Sequence, residues 1–245
     1  MKIQDYKKLI RKSHRYLGVF IGIQFLLWTI SGLFFSWTNI KEIRGDHLRV
    51  DQDQIKPLEG SFSPADIRSE LMKTETEPNV TSFRVVRIID TNYFEVTYDN
   101  ANKKESTALF DTKSGKRRNS ITREEAELIA NKALKEKAKV KQAEYLTKEN
   151  VSSHHEYREK PLPAWAVSFD HPENLTVYLS ADNGQVQSFR TANWRIFDFL
   201  WMLHTMDFIG RDDINNWTLR IFSGLSVLMI ISGFLYFFIT FRKPW

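Results

Sequence analysis

Apolar residues are concentrated in two blocks, one near each end of the chain. Residues 17–37 and residues 221–241 carry no formal charge, and the first block is interrupted only by Gln24 and small hydroxyl side chains. At a rise of about 1.5 Å per residue, each block is long enough to cross a hydrocarbon core of about 30 Å. Because buried helices of that length are unusual in soluble proteins, the pattern predicts two transmembrane helices.

The flanking charges predict the orientation of these helices. Six basic residues and one acid precede the first block; the basic residues are Lys2, Lys7, Lys8, Arg11, Lys12 and Arg15. Arg242 and Lys243 follow the second block. Since basic flanks stay on the cytoplasmic side, both termini are expected there and the central segment is expected across the membrane. The first block is too long for a cleaved signal peptide, so an uncleaved anchor is predicted.

Between the two blocks the pattern changes to a helix followed by strands. Ser63 is a plausible N-cap with Pro64 at the first helical position, which predicts a helix over residues 63–75. Three short strand-like runs come next, at residues 83–89, 93–98 and 106–110. The last run leads into a turn that contains Gly115.

The same order then begins again. Thr122 and Glu125 form a capping box before a second helix, whose apolar stripe is Ala126, Ile129, Ala130, Ala133 and Leu134. Strand-like runs return at residues 164–169 and 175–180 and lead into a turn with Gly184. Two such units indicate an internal duplication. The predicted fold is an α+β extracytoplasmic domain of two helix-plus-antiparallel-sheet repeats, flanked by two transmembrane α-helices.

These elements divide the chain into seven predicted segments. They are a basic cytoplasmic N-terminus (1–16), a transmembrane helix (17–38), a first repeat (39–119), a second repeat (120–193), an interfacial helix and junction (194–216), a second transmembrane helix (217–241) and a cytoplasmic tail (242–245).

The composition excludes several kinds of site. The chain has no cysteine, so it cannot form thiolate metal sites, iron–sulfur clusters, covalent haem linkages or disulfides. The central segment shows no nucleophile beside a base, no Gly-rich phosphate loop and no paired carboxylates. We therefore expect this segment to bind or position something rather than to catalyse a reaction, and no nucleic-acid partner is expected.

Three groups of residues resemble known protein families. The turns at residues 111–116 and 182–186, each after a strand and downstream of a capped helix, look like the PepSY domain, present twice. Residues 11–18 (RKSHRYLG) with Ser31-Gly32 resemble the transmembrane segment associated with PepSY domains. Residues 203–211 (LHTMDFIGR) with Asn215-Asn216 resemble it as well. Together the resemblance covers nearly the whole chain.

This resemblance implies a function. The family includes haem-containing bacterial ferric-siderophore and ferric-iron reductases, beside many members of unknown activity. It therefore implies a haem-b protein of the bacterial inner membrane with a periplasmic central domain. Such a protein would pass electrons from an unidentified cytoplasmic donor to ferric iron or a ferric chelate. The alternative is a non-catalytic PepSY membrane protein whose central domain binds or inhibits an envelope protein.

His14 and His204 are the candidate axial ligands of the haem iron. Imidazole is the usual axial ligand, and a histidine at membrane depth is a functional candidate by default. After His14, one face of the first span carries Gly18, Gly22 and Gly32, where a helix or a flat ligand can approach closely. In the alternative, both histidines sit at the membrane interface, bonded to lipid headgroups or to Asp207, and the small residues pack on a partner helix.

The predicted levels of the two histidines suggest a dimer. His14 and His204 are expected at opposite membrane faces, about 30 Å apart, so one iron cannot bind both. A two-fold homodimer would bring each histidine to its mate and enclose two haems b between four helices.

Other polar residues are weaker candidates. Asp207 and Arg211 lie next to His204 and either hold the ferric acceptor or fix the junction between domain and membrane. Residues 154–156 (His-His-Glu) have metal-ligand chemistry, but adjacent loop residues rarely converge on one ion. His47 and His171 are expected to be ordinary surface or turn residues.

Overall fold

A computed structural model describes residues 3–50, 62–76, 78–101 and 103–241. The chain forms two compact units, which we call the helical unit (Met1–Ile43 with Asn193–Trp245) and the central domain (Arg44–Ala192). The predicted cytoplasmic tail, residues 242–245, lies outside the described residues, as does Lys2 at the N-terminus.

The elements follow one another in this order. The helices are α1 (Ile3–Trp37), α2 (Ile40–Ile43), α3 (Pro64–Thr74), α4 (Arg123–Lys132), α5 (Ala192–Thr205) and α6 (Trp217–Phe241). The strands are β1 (Asn79–Ile88), β2 (Thr91–Asp99), β3 (Glu105–Asp111), β4 (Arg117–Arg118), β5 (Lys139–Leu146), β6 (Ala164–Asp170), β7 (Thr176–Ser180) and β8 (Val186–Arg190).

The central domain contains two four-stranded antiparallel sheets, each preceded by a helix. Their strand orders are β1-β2-β3-β4 and β5-β6-β7-β8. The predicted α+β fold with two helix-plus-sheet repeats is therefore confirmed. The sequence pattern missed β4, β5 and β8, because β4 is only two residues long and the other two are edge strands with polar residues at half or more of their positions.

Both predicted helix starts are confirmed as capping boxes. The Ser63 hydroxyl accepts the N–H of Asp66, and the Asp66 carboxylate accepts the N–H of Ser63. Thr122 and Glu125 are paired in the same way at the start of α4. The second helix ends earlier than the apolar stripe suggested, at Lys132.

The two repeats share one apolar core. Ile88 and Leu109 of the first repeat pack in the same buried cluster as Val167 and Val177 of the second. The two predicted glycine turns are also present, and both glycines have a positive φ, +66° at Gly115 and +69° at Gly184. Side chains are unfavourable in that conformation, which explains a glycine at both places.

The two terminal helices have the dimensions expected for transmembrane helices. Within the described residues, Lys8–Trp37 and Trp217–Phe238 are long and apolar enough to span a membrane. Large apolar side chains on both helices are exposed, among them Val19, Ile23 and Phe234. Such a surface is rare on soluble monomers and suits lipid or a partner helix. Helix α1 extends back to Ile3, because its basic start contains good helix formers and no breaker.

Candidate functional site

Helix α5 lies along the second half of α1. The ring of Phe35 on α1 is 4.9 Å from that of Phe197 and 6.0 Å from that of Trp201, both on α5. A helix is present in the segment predicted as interfacial helix and junction (194–216), and it runs from Ala192 to Thr205. Its last residues, including His204, meet the middle of α1.

Three side chains satisfy the last carbonyls of α5. Gln24 Nε2 donates to Leu203 O at 3.2 Å, Trp28 Nε1 donates to His204 O at 2.8 Å, and Asn216 Nδ2 donates to Thr205 O at 2.9 Å. The last carbonyls of a helix have no partner within the helix, and leaving them unpaired among apolar side chains is costly. Gln24 and Trp28 of α1 therefore both hold the end of α5 that carries His204.

The imidazole of His204 is held against Ser31. Its Nδ1 lies 2.7 Å from the Ser31 hydroxyl oxygen. The ring of Phe35 approaches His204 edge-on with a centroid distance of 5.6 Å, and the Trp28 ring is 6.4 Å away. His204 thus has one polar neighbour, on α1, and otherwise aromatic surroundings.

The imidazole of His14 is held in the same way by α6. Its Nδ1 lies 2.9 Å from the Ser232 hydroxyl oxygen. Its ring stacks on Tyr236 with a centroid distance of 6.2 Å. A Cβ added at Gly233 would be 3.1 Å from His14 Cε1, so the glycine makes room for the imidazole.

The serine contacts favour one tautomer for both histidines. A serine hydroxyl has one hydrogen. The Ser31 oxygen also lies 2.8 Å from Leu27 O, and the Ser232 oxygen lies 2.7 Å from Met229 O. Where the hydroxyl donates to its own helix, its oxygen accepts from the imidazole and Nδ1 carries the proton. In a neutral ring this leaves a lone pair on Nε2, the form in which imidazole binds a metal.

Neither Nε2 atom is occupied by another residue. Across the ranges that the structure describes, no hydrogen bond reaches Nε2 of His14 or of His204. The two sites are also well separated, because α1 rises about 25 Å between His14 and Ser31, the partner of His204. Metal–nitrogen bonds of about 2 Å cannot join both imidazoles of one chain to a single ion.

Both serines belong to the same short sequence. Ile30-Ser31-Gly32 lies in α1 and Ile231-Ser232-Gly233 lies in α6. The family model for the PepSY-associated TM region matches residues 3–240, which include both histidines and both serines. The chain belongs to this family. Comparison with curated proteins and with solved structures found no match.

The pairing of each histidine with a serine was not predicted from the sequence. Ser31 belongs to the motif that resembles the PepSY-associated TM region, whereas Ser232 and Gly233 were not predicted as site residues. The repeated tripeptide Ile-Ser-Gly was the available signal, since each copy places a hydroxyl within a membrane-spanning helix.

The predicted small residues of α1 differ in their surroundings. A Cβ at Gly18 would be 3.9 Å from Met229 Cε on α6, so this glycine faces the neighbouring helix. At Gly22 and Gly32 no described atom beyond the neighbouring residues and the backbone of α1 itself lies within 4 Å of that position. These two glycines are therefore open to a neighbour outside the chain.

Asp207 and Arg211 stabilise the turn between α5 and α6. The Asp207 carboxylate accepts the N–H groups of Ile209, Gly210 and Asp213 at 2.9 to 3.2 Å. Burial alone would raise the pKa of Asp207, but these hydrogen bonds lower it below its ordinary value. Arg211 donates to the buried Asp198 at 2.6 Å. Both predicted acceptor-side residues are thus used within the helical unit.

His47, His155 and His171 make ordinary polar contacts. His155 Nδ1 accepts the N–H of Tyr157, and Glu156 accepts the hydroxyl of Tyr178. His47 pairs with Glu173 at 3.1 Å, and His171 Nδ1 accepts the N–H of Glu173. In the described part of the chain, no group of three or more His, Asp or Glu residues is placed to hold a metal ion.

Proposed function

We propose that this chain is a haem-b electron-transfer protein of the bacterial inner membrane that reduces ferric iron or a ferric chelate. One observation carries the proposal. In both histidines of the helical unit, Nδ1 lies within hydrogen-bond distance of a serine hydroxyl, while Nε2 has no hydrogen-bond partner among the described residues. Metal-bound histidines commonly donate their second ring N–H to an oxygen acceptor in this way.

The residues present fit axial ligation of haem. Imidazole nitrogen is the usual axial ligand, and each histidine has an aromatic ring beside it, with Gly233 also next to His14. When bound, the haem would supply one-electron chemistry. The chain contributes the orientation of the two imidazoles, through Ser31 and Ser232, and the protonation of Nδ1.

The separation of the two sites favours a homodimer. Because one chain supplies one histidine at each level, bis-imidazole ligation needs a second copy, in which His14 meets His14 and His204 meets His204. Gly22 and Gly32 support such an assembly, since nothing in the same chain occupies the space beside them. Two haems per dimer would then lie at two levels of the membrane.

The direction of transfer follows from the basic N-terminal residues of α1. Their charge favours a cytoplasmic position for His14 and a periplasmic position for His204 and the central domain. Electrons would enter from a cytoplasmic donor and leave to the ferric acceptor outside. The Asp207 carboxylate accepts hydrogen bonds within the turn and Arg211 is paired with Asp198, so the proposal does not assign the acceptor site to them.

A reduced-minus-oxidised absorbance spectrum of the purified full chain tests the proposal. We expect the bands of low-spin haem b, about one haem per chain, and reoxidation on addition of ferric citrate. His14→Ala and His204→Ala should each remove about half of the haem, and the double variant should lose it. His47→Ala and His171→Ala, which alter surface histidines, are the matched controls.

A different outcome would favour the second function. If the protein contains no haem after expression with sufficient iron, or if both histidine variants keep full haem content, the ligand assignment is wrong. The non-catalytic role, in which the central domain binds or inhibits an envelope protein, would then be preferred.

A further inference from the structure

A cavity of about 380 Å³ lies within the central domain, between the two repeats. Its walls come from β1 in the first repeat, from α4 and the Gly184 turn in the second, and from Arg49 and Val50. Cavities that bind small organic molecules usually measure about 300 to 1,000 Å³. The cavity therefore has the size of a small-molecule site, and it is separate from the two histidines.

Four basic side chains from three parts of the chain line this cavity. They are Arg49, Arg84, Arg87 and Lys132. Among the described residues, two carboxylates pair with them. Glu95 pairs with Arg84, and Asp90 pairs with both Arg87 and Lys132. The cations thus outnumber their acidic partners by two, which gives the cavity a positive potential.

The guanidinium groups of Arg49 and Arg87 make few contacts with other described residues. The Arg87 side chain is only 15% exposed, yet its ion pair is a 3.4 Å contact to Asp90, whose own side chain is 70% exposed. Arg49 lies over the ring of Phe189 at 5.9 Å and has no ion pair within the described ranges. A guanidinium has five N–H donors, and the contacts of Arg49 and Arg87 use few of them. An anion in the cavity would supply further acceptors.

The remainder of the wall is apolar. Val86, Ile129 and Val186 pack with one side on the shared core of the two repeats and line the cavity with the other. Ile89 also lines it, in the two-residue turn between β1 and β2, with a φ of +58°. A β-branched residue is strained in that conformation, where glycine or asparagine is usual. Ile89 thus lines the cavity in a backbone conformation that is unfavourable for isoleucine.

We propose that this cavity binds a small organic anion with an apolar body and a carboxylate or similar anionic head. The head contacts Arg49 and Arg87, and the body lies against Ile89, Ile129 and Val186. Because the walls come from both repeats, such a ligand would bridge them. The duplication would then have created a site that neither repeat has alone.

Two fluorescent probes that differ only in charge test this proposal. Dansylglycine has a naphthalene body with one carboxylate, and dansylglycinamide has the same body without charge. The full-length protein is placed in phosphatidylcholine nanodiscs, and the signal of empty discs is subtracted. We expect saturable binding of dansylglycine, weaker at high salt, and binding of the amide that is about tenfold weaker or less.

Substitutions then locate the binding site. Arg49→Gln and Lys132→Gln should each weaken dansylglycine binding about tenfold, since each removes a cation from the cavity. Lys139→Gln, an exposed cation of the same domain outside the cavity, should leave it unchanged. Lys132 and Lys139 are both exposed at the surface, so these variants are expected to fold, and thermal unfolding checks that they do.

The proposal is overturned by any of three results. These are no saturable signal above empty discs, equal affinity for both probes, or unchanged binding in both Arg49→Gln and Lys132→Gln. None of them depends on haem, so the outcome is independent of the proposed redox function.

Discussion

The imidazole of His14 and the hydroxyl of Ser232 are joined by a 2.9 Å hydrogen bond between residues 218 positions apart. Where the Ser232 hydroxyl donates to Met229 O, 2.7 Å away, this bond places a proton on Nδ1 of His14. The pair formed by His204 and Ser31 repeats the arrangement at 2.7 Å. The same histidine–serine hydrogen bond therefore occurs at both histidines of the helical unit.

Replacing Ser31 or Ser232 by alanine should allow the histidine that it contacts to populate both neutral tautomers. We expect ¹⁵N NMR of the haem-free full chain to show the Nδ1–H form at His14 in the wild type and a mixture of tautomers in Ser232→Ala. Haem affinity should fall about 10- to 100-fold, as is usual when a partner of a ligating histidine is lost.

Ser36→Ala is the matched control, because the Ser36 hydroxyl is exposed and bonded only to its own helix, at Leu33 O. Unchanged tautomers in both Ser31→Ala and Ser232→Ala would contradict the assignment even if the protein contains no haem.

Gly233→Ala should disturb the His14 site selectively. The added Cβ would lie 3.1 Å from His14 Cε1, so the imidazole has to move by a few tenths of an ångström. We expect a shifted reduction potential or a lower haem content. At Gly224, in the same helix, nothing lies within 4 Å of that position. Gly224→Ala should therefore leave the spectrum unchanged, and equal effects of the two substitutions would rule out a specific role for Gly233.

Gln24→Leu should loosen the end of α5. The substitution removes the donor to Leu203 O, and an unpaired carbonyl among apolar side chains costs about 1 to 3 kcal/mol. Hydrogen exchange at the end of α5 should accelerate in the full-length protein. Thr29→Val, which removes a hydroxyl bonded only within α1, should have little effect. If Gln24→Leu exchanges like the wild type, the amide does not hold the helix end.

Tyr157 should make the central domain sensitive to alkaline pH. Burial raises its pKa to about 12. Since an unfolded tyrosine ionises near pH 10, the contribution of Tyr157 to stability is complete below pH 10. As the pH rises towards 12 this contribution is lost, and the free energy of unfolding falls by about 3 kcal/mol at most.

Near-ultraviolet absorbance measures this effect. The titration of the wild type should include a tyrosine that ionises at high pH and is missing from the titration of Tyr157→Phe. Only the wild type should lose the contribution of Tyr157 to the free energy of unfolding above pH 10. If the substitution leaves the last part of the titration unchanged, the late step belongs to another residue.

Much of the fold could be predicted from local patterns in the sequence. The terminal helices follow from two charge-free stretches, and the starts of α3 and α4 follow from capping residues within three positions of each other. Strand β5 was missed because lysine, glutamine and glutamate occupy half of its positions. An edge strand of this kind has little apolar periodicity to detect.

The candidate site was only half predictable. His14 and His204 could be selected from residue type and membrane depth, but their serine partners are 218 and 173 positions away. Nothing local in a sequence connects such pairs. The cavity in the central domain escaped prediction for the same reason, since its cations come from β1, α4 and Arg49.

Helix α1 has a part in both histidine sites. It supplies His14 to a serine of α6, and it supplies Ser31 to a histidine of α5. If α1 slid along its axis or turned about it, both hydrogen bonds would break together. A displacement of α1 would therefore disturb both sites at once over about 25 Å, whereas a substitution confined to one site leaves the other intact.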